Sequence, residues 1–202
     1  MNKSSLEVIF FDLGSVLIRV NKAKALQRLA SVTKTPLSEI QRDFETKQPL
    51  FESFNKGLLD RQSFYKQLNN GYNLSFETFY DIYTSIFSLD DSVYEIARHL
   101  SAQFRLSIIS NTDELHFERI QNDYPELQMF ESPITSFEAH ALKPDDRIYF
   151  YALHHLHTRA ERSLLIDDMQ ENIQAAREIG MHGIHFTSAA QLEHDLNQLE
   201  LR

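Results

Sequence analysis

The chain has 202 residues, 42% of them hydrophobic and 24% charged, enough to bury a full core in one domain with a sizeable insertion or in two small domains. A formal net charge of −9 disfavours nucleic acid and acidic membrane surfaces, so any anionic substrate needs positive charge supplied locally by a cation or a metal. The absence of cysteine excludes disulfides, thiolate metal sites and a cysteine nucleophile, and it is compatible with the cytoplasmic location expected for this chain.

The first apolar run, Val8-Ile9-Phe10-Phe11, is short and is broken by Asp12. It therefore reads neither as a secretory signal nor as a membrane span, which needs roughly 20 apolar residues. Four apolar residues in a row predict a strand buried on both faces, as in a parallel sheet. Asp12 ends that strand, followed closely by a flexible Gly14. In open α/β sheets ligands sit beyond the carboxyl ends of strands, so Asp12 either meets a substrate or caps a turn.

Residues 19 to about 89 read as helices without strands. Ala23, Leu26, Leu29 and Ala30 keep helical spacing, and Thr35-Pro36 is a helix-start signal. A helix after Asp60 runs through Phe64, Tyr65 and Leu68 to Asn69-Asn70-Gly71, and another follows Ser75 with Phe76, Phe79, Tyr80, Tyr83 and Phe87 on one face. Such aromatics more often form a bundle core than a ligand cage.

From residue 91 helices and strands alternate. A helix carrying Val93, Ile96, Ala97 and Leu100 leads to a strand at Leu106-Ser107-Ile108-Ile109, which ends in Ser110-Asn111-Thr112. A helix from Asp113, a weak strand near Ile134-Thr135 and a helix opened by Lys143-Pro144 follow. The next strand, Ser163-Leu164-Leu165-Ile166, ends in Asp167-Asp168; a helix stopped by Gly180, a strand at Gly183-Ile184-His185-Phe186 and a last helix from about Ala189 complete the chain. This alternation predicts an α/β fold with a doubly wound parallel sheet, Rossmann-like in three α/β/α layers.

Parallel topology brings the strand ends to one edge, so Asp12, Ser110-Asn111 and Asp167-Asp168 converge there, with Lys143 in the loop between the last two. Each segment alone has an ordinary reading, since Ser-Asn pairs make turns, paired aspartates cap helices and lysines are mostly surface residues. As an ordered set they resemble the haloacid dehalogenase superfamily of phosphohydrolases over nearly the whole chain. The four motifs are Phe11-Asp12-Leu13-Gly14-Ser15-Val16, Ile108 to Thr112, Lys143-Pro144 with Ile148-Tyr149, and Leu165-Ile166-Asp167-Asp168 with Asn172. The inserted helices resemble the small cap of one branch, with residues 1–18 and 90–202 as catalytic core and 19–89 as cap. The Asp-Leu-Gly-Ser form of the first motif resembles the α-D-glucose-1-phosphate phosphatase subgroup.

The resemblance implies a phosphatase acting on a small phosphorylated metabolite, a sugar phosphate such as glucose 1-phosphate in particular. Asp12 would attack phosphorus to give an aspartyl-phosphate that water hydrolyses. Mg²⁺ would be held by the Asp12 carboxylate, the Gly14 carbonyl and Asp168, with Asp167 in support, while Ser110 and the Asn111 backbone or side chain bind the phosphoryl group and Lys143 neutralises it. Substrate choice would fall to cap residues such as Phe51, Glu52 or Phe54, near the Lys56-Gly57 break.

Two departures from the family pattern stand out: Gly14 replaces the usual second Asp, and His140 replaces a usual Gly three residues before Lys143. Without a general acid, leaving groups that need little protonation are favoured, such as a sugar's anomeric oxygen. Two rivals stay open, a 2-haloacid dehalogenase and a non-catalytic scaffold that binds phosphate or Mg²⁺. The His154-His155-x-His157 cluster reads as a helix end near solvent rather than a zinc site, since neighbouring helix positions do not share a face. Oligomeric state is not legible.

Overall fold

The structure, a computed structural model, describes residues 6–201. The first apolar run forms β1 (Val8–Phe11), with all four residues buried. A turn then leads to β2 (Ile18–Val20) and five helices, α1 (Lys22–Thr33), α2 (Leu37–Thr46), α3 (Gln48–Asn55), α4 (Arg61–Leu68) and α5 (Phe76–Thr84), before β3 (Phe87–Leu89). The rest alternates: α6 (Asp91–Leu100), β4 (Arg105–Ser110), α7 (Glu114–Asp123), β5 (Ile134–Thr135), α8 (Ser136–Ala139), α9 (Asp146–His155), β6 (Ser163–Asp167), α10 (Gln170–Glu178), β7 (His182–His185) and α11 (Ala189–Gln198).

Side-chain caps fix several of these starts. Asp60, Ser75, Asp90, Asp113, Asp145 and Ser188 each accept a hydrogen bond from a backbone N–H of the first turn they precede. α2 is an exception to the expected Thr35 cap, because Pro36 occupies the capping position without a side-chain bond. The expectation of an insertion without strands is also corrected. β2 and β3 pair antiparallel, Ile18 opposite Leu89 and Val20 opposite Phe87, where the chain leaves and re-enters the core. Phe87 therefore belongs to a strand and not to the face of α5; a three-residue strand carries too little periodicity to be seen in sequence.

The main sheet runs β5-β4-β1-β6-β7, with every pair parallel. β1 sits at its centre, Phe11 opposite Ile108 on one side and Ile166 on the other. Alternate residues of β1 feed two cores. Ile9 and Phe11 pack with Val93, Ile96, Ile120 and Leu192, whereas Val8 and Phe10 pack with Ile148, Tyr149, Ala152 and Ile173. Helices thus cover both faces, as the continuous apolar strands required. Among the described residues, no helix is long and apolar enough to cross a membrane.

Candidate active site

Because the strands are parallel and in register, the residues that follow β1, β4 and β6 emerge side by side. Asp12 is 8% exposed, Ser110 3%, Lys143 5% and Asp167 0%. Lys143 Nζ donates to Asp12 Oδ1 at 2.8 Å, to Asp167 Oδ2 at 2.6 Å and to the Ile109 carbonyl at 2.8 Å. An ammonium has three donors, so this lysine is fully used. The expected Lys143 helix start lies two residues later, at Asp145, and the Lys143–Pro144 peptide is cis.

Asn111 holds the lysine's backbone at two points: its Nδ2 donates to the Lys143 carbonyl at 2.9 Å and its Oδ1 accepts from the Lys143 N–H at 2.7 Å. One Nδ2 hydrogen is left over, so the expected Asn111–phosphoryl contact stays open to both its backbone and its side chain. Asp167 is similarly occupied, since Oδ1 accepts from the Met169 N–H at 2.9 Å and from Asn172 Nδ2 at 2.8 Å. Carboxylate oxygens of Asp12, Asp167 and Asp168 lie within 4.8 Å of one another.

Three acids share one ammonium, and their protonation reflects it. Burial, with Asp167 adding to it, pushes the Asp12 carboxyl up to about 6 despite the opposing pull of Lys143. Burial and the neighbouring Asp167 also raise Asp168, which comes close enough to Asp12 for a hydrogen bond. Burial would lower Lys143, but Asp12 and Asp167 outweigh it and hold the ammonium above its ordinary range. The donor set is a cluster of hard oxygens short of positive charge, which fits Mg²⁺.

The turn after Asp12 takes its left-handed residue one position beyond Gly14. The Gly14 backbone is not left-handed; the next residue, Ser15, takes that conformation at φ 63°. His140 is left-handed as well, at φ 51°, the conformation a glycine accepts most easily. Its Nδ1 lies 2.9 Å from the Lys56 carbonyl. The His154 and His155 rings end α9 at exposed positions.

A cleft of about 660 Å³ extends from these carboxylates between the core and the inserted helices. Phe51 lines it, as the sequence suggested. Glu52 does not, because it pairs with Lys56 on the surface, and Phe54, 1% exposed, stacks on Phe64 inside the insertion. The sequence reading missed Asn55, Tyr83, Asp113 and His116 on the cleft wall. Asp113 caps α7 and accepts from the Tyr83 hydroxyl at 2.8 Å, with His116 Nδ1 also 2.8 Å from it. A histidine three residues after a capping aspartate was the available signal.

Comparison with known proteins agrees with this geometry. The family model described as haloacid dehalogenase-like hydrolase matches residues 9–186. The chain is 24% identical to the sesquiterpene phosphatase astK of Aspergillus oryzae, over 97% of both chains. It is 26% identical to flavin mononucleotide hydrolase 1 of Arabidopsis thaliana, over 98% of this chain and 79% of that protein. In fold it is similar to the HAD family enzyme BT-2542 of Bacteroides thetaiotaomicron, with a TM-score of 0.85 at 20% identity over 95% of this chain and 98% of that one. A complex of BT-2542 with magnesium and inorganic phosphate gives a TM-score of 0.80 at 18% identity over 90% and 94%. With four ordered motifs meeting at one sheet edge and a family match from β1 to the end of β7, the chain belongs to the haloacid dehalogenase-like hydrolases.

Proposed function

We propose that this hydrolase is a Mg²⁺-dependent phosphatase of small organic monophosphates. The observation that carries the reading is the buried meeting of Asp12, Lys143, Asp167 and Asp168 at the carboxyl edge of the sheet. Relatives with phosphatase and flavin mononucleotide hydrolase names support it. A metal-free dehalogenase of this fold would still use Asp167 to hold Lys143 but would leave Asp168 without a task.

In this reading Asp12 attacks phosphorus, the P–O bond to the leaving group breaks, and water then hydrolyses the aspartyl-phosphate. Asp12, the Gly14 carbonyl and Asp168 would hold Mg²⁺, with Asp167 positioning Lys143; when bound, the ion neutralises charge on nucleophile and phosphate. The Leu13 N–H and Lys143 Nζ both bond Asp12 Oδ1, at 2.7 and 2.8 Å, and Lys143 favours the ionised, nucleophilic form of that carboxylate. Ser110 Oγ and the Asn111 backbone would donate to phosphoryl oxygens. Residues 1–18 and 90–202 carry this chemistry, and residues 19–89 cover it and read the leaving group. A cytoplasmic setting is part of the proposal, and a chain free of cysteine is compatible with it.

Gly14 leaves no positioned acid two residues after the nucleophile, which supports leaving groups that depart without a proton. Among sugar phosphates that selects glycosyl 1-phosphates, glucose 1-phosphate included, over 6-phosphates. The test is phosphate release from glucose 1-phosphate, glucose 6-phosphate and phenyl phosphate, with and without Mg²⁺. Asp12→Asn and excess chelator should each abolish release from every ester, and undiminished release in either case sinks the reading.

A further inference from the structure

Away from the carboxylates, the cleft walls sort by polarity. Ile18, Ile86 and Ile120, each no more than 7% exposed, line its inner surface with the half-buried Leu26, Phe44 and Phe51. The Phe51 ring centroid lies 5.6 Å from that of Phe44 and 5.7 Å from that of Phe64, so aromatic neighbours hold this wall in place.

Three of the polar side chains on this surface, Tyr83, Asp113 and His116, are bonded to one another. The Tyr83 hydroxyl donates to Asp113 at 2.8 Å, and His116 meets that carboxylate through Nδ1 at 2.8 Å and the Tyr83 carbonyl through Nε2 at 3.1 Å. Lys22, Gln41, Glu45 and Gln48 also face the cleft but are exposed, as a rim would be. Among the described residues, the half-buried Asn55 amide and the Thr112 hydroxyl are the polar groups left on this surface between the rim and the phosphoryl end. A sugar body placed here would lose roughly tenfold in affinity for each hydroxyl left without a partner. An apolar body loses nothing and gains burial.

We propose that the substrate's leaving group is largely apolar, an aryl body seated on Leu26, Phe44 and Phe51 while its phosphate meets Asp12. This rests on the phosphatase reading of the same site and names its substrate class, placing sugar phosphates below such esters. Phe51 and Leu26 become specificity-determining residues.

A homologous series tests it: phenyl, 4-ethylphenyl and 4-butylphenyl phosphate, whose phenols differ little in acidity, beside glucose 1-phosphate and acetyl phosphate. kcat/KM should rise about two- to fourfold per added CH₂, mainly through KM. Glucose 1-phosphate should fall below phenyl phosphate. Phe51→Ala and Leu26→Gln should each flatten the slope, Leu26→Gln serving if loss of Phe51 prevents folding. A flat series with acetyl phosphate still hydrolysed, or glucose 1-phosphate matching 4-butylphenyl phosphate, overturns the substrate class and leaves the phosphatase reading standing. No hydrolysis of any ester or of acetyl phosphate, with Mg²⁺ present, overturns both.

Discussion

Lys143 is bonded to two carboxylates inside the protein, and its removal would leave them without a counter-charge. Breaking such a buried group typically costs about 3–5 kcal/mol. Lys143→Met should therefore destabilise the metal-free protein by that order at pH 8. The sign with pH follows from Asp12. Its folded carboxyl is raised to about 6, first by burial, against an ordinary value of 3.8, so its contribution is full below about pH 4 and lost as pH rises through 6. Lys143 is its largest lowering influence, and without it the loss deepens. Urea denaturation with chelator should thus show the variant close to wild type near pH 4 and the gap opening above pH 6; a constant gap would contradict the pairing. Gly14 carries a different expectation. A Cβ there would meet nothing closer than Val20 Cγ2 at 3.6 Å, and the backbone is not left-handed, so Gly14→Asp should fold. Positioned acid catalysis contributes about 10²–10⁴-fold, so this substitution should narrow the preference for phenyl over alkyl phosphates by up to about 10²-fold, read as a ratio of kcat/KM.

At the level of elements, the turn between α3 and α4 is pressed onto α8. Ser136 Oγ donates to the Asn55 carbonyl at 2.7 Å, and a Cβ on Gly57 would lie 2.2 Å from the Phe137 carbonyl oxygen. Gly57 is also left-handed at φ 64°. Gly57→Ala should then lift this turn off the core and cost more than the roughly 1 kcal/mol of a left-handed alanine alone. Gly71, at φ 95° with nothing within 4 Å, carries a backbone cost at least as large and no steric contact, so it is a stringent control. Thermal denaturation should rank Gly57→Ala well below Gly71→Ala, and equal losses would show that the turn does not bear on α8. Lys56-Gly57 was visible in sequence as a helix break, but the surface it meets lies some 80 residues away and left no mark.

At the scale of the molecule, the insertion and the core meet through side chains from distant segments. Arg61 pairs with Glu118 at 2.9 Å and Tyr83 with Asp113 at 2.8 Å, flanking the cleft on the α7 side. A cation bound among Asp12, Asp167 and Asp168 would favour the folded state by mass action, by about 2.7 kcal/mol at a concentration 100 times its Kd. Millimolar Mg²⁺ should therefore raise Tm by several degrees at pH 7.5, and Asp168→Asn should remove most of that rise. An unchanged shift in the variant would move the metal contact away from Asp168.

The parallel sheet, its central strand and the four motifs are legible in the chain, because buried strands need continuous apolar runs and parallel strands bring their carboxyl ends to one edge. So are Asp12, Ser110, Lys143, Asp167 and Asp168, whose chemistry depends on residue type and chain order. How these groups share their bonds depends on packing across the sheet edge: Asn111 bonds the Lys143 backbone through both ends of its amide, Asp167 accepts three hydrogen bonds, and Ser15 takes the left-handed turn. The cleft wall depends on packing too. Phe51 and Phe54 are alike in composition and three residues apart, yet one lines the cleft and the other lies in the core of the insertion. That difference comes from how helices pack against each other, which local periodicity does not encode.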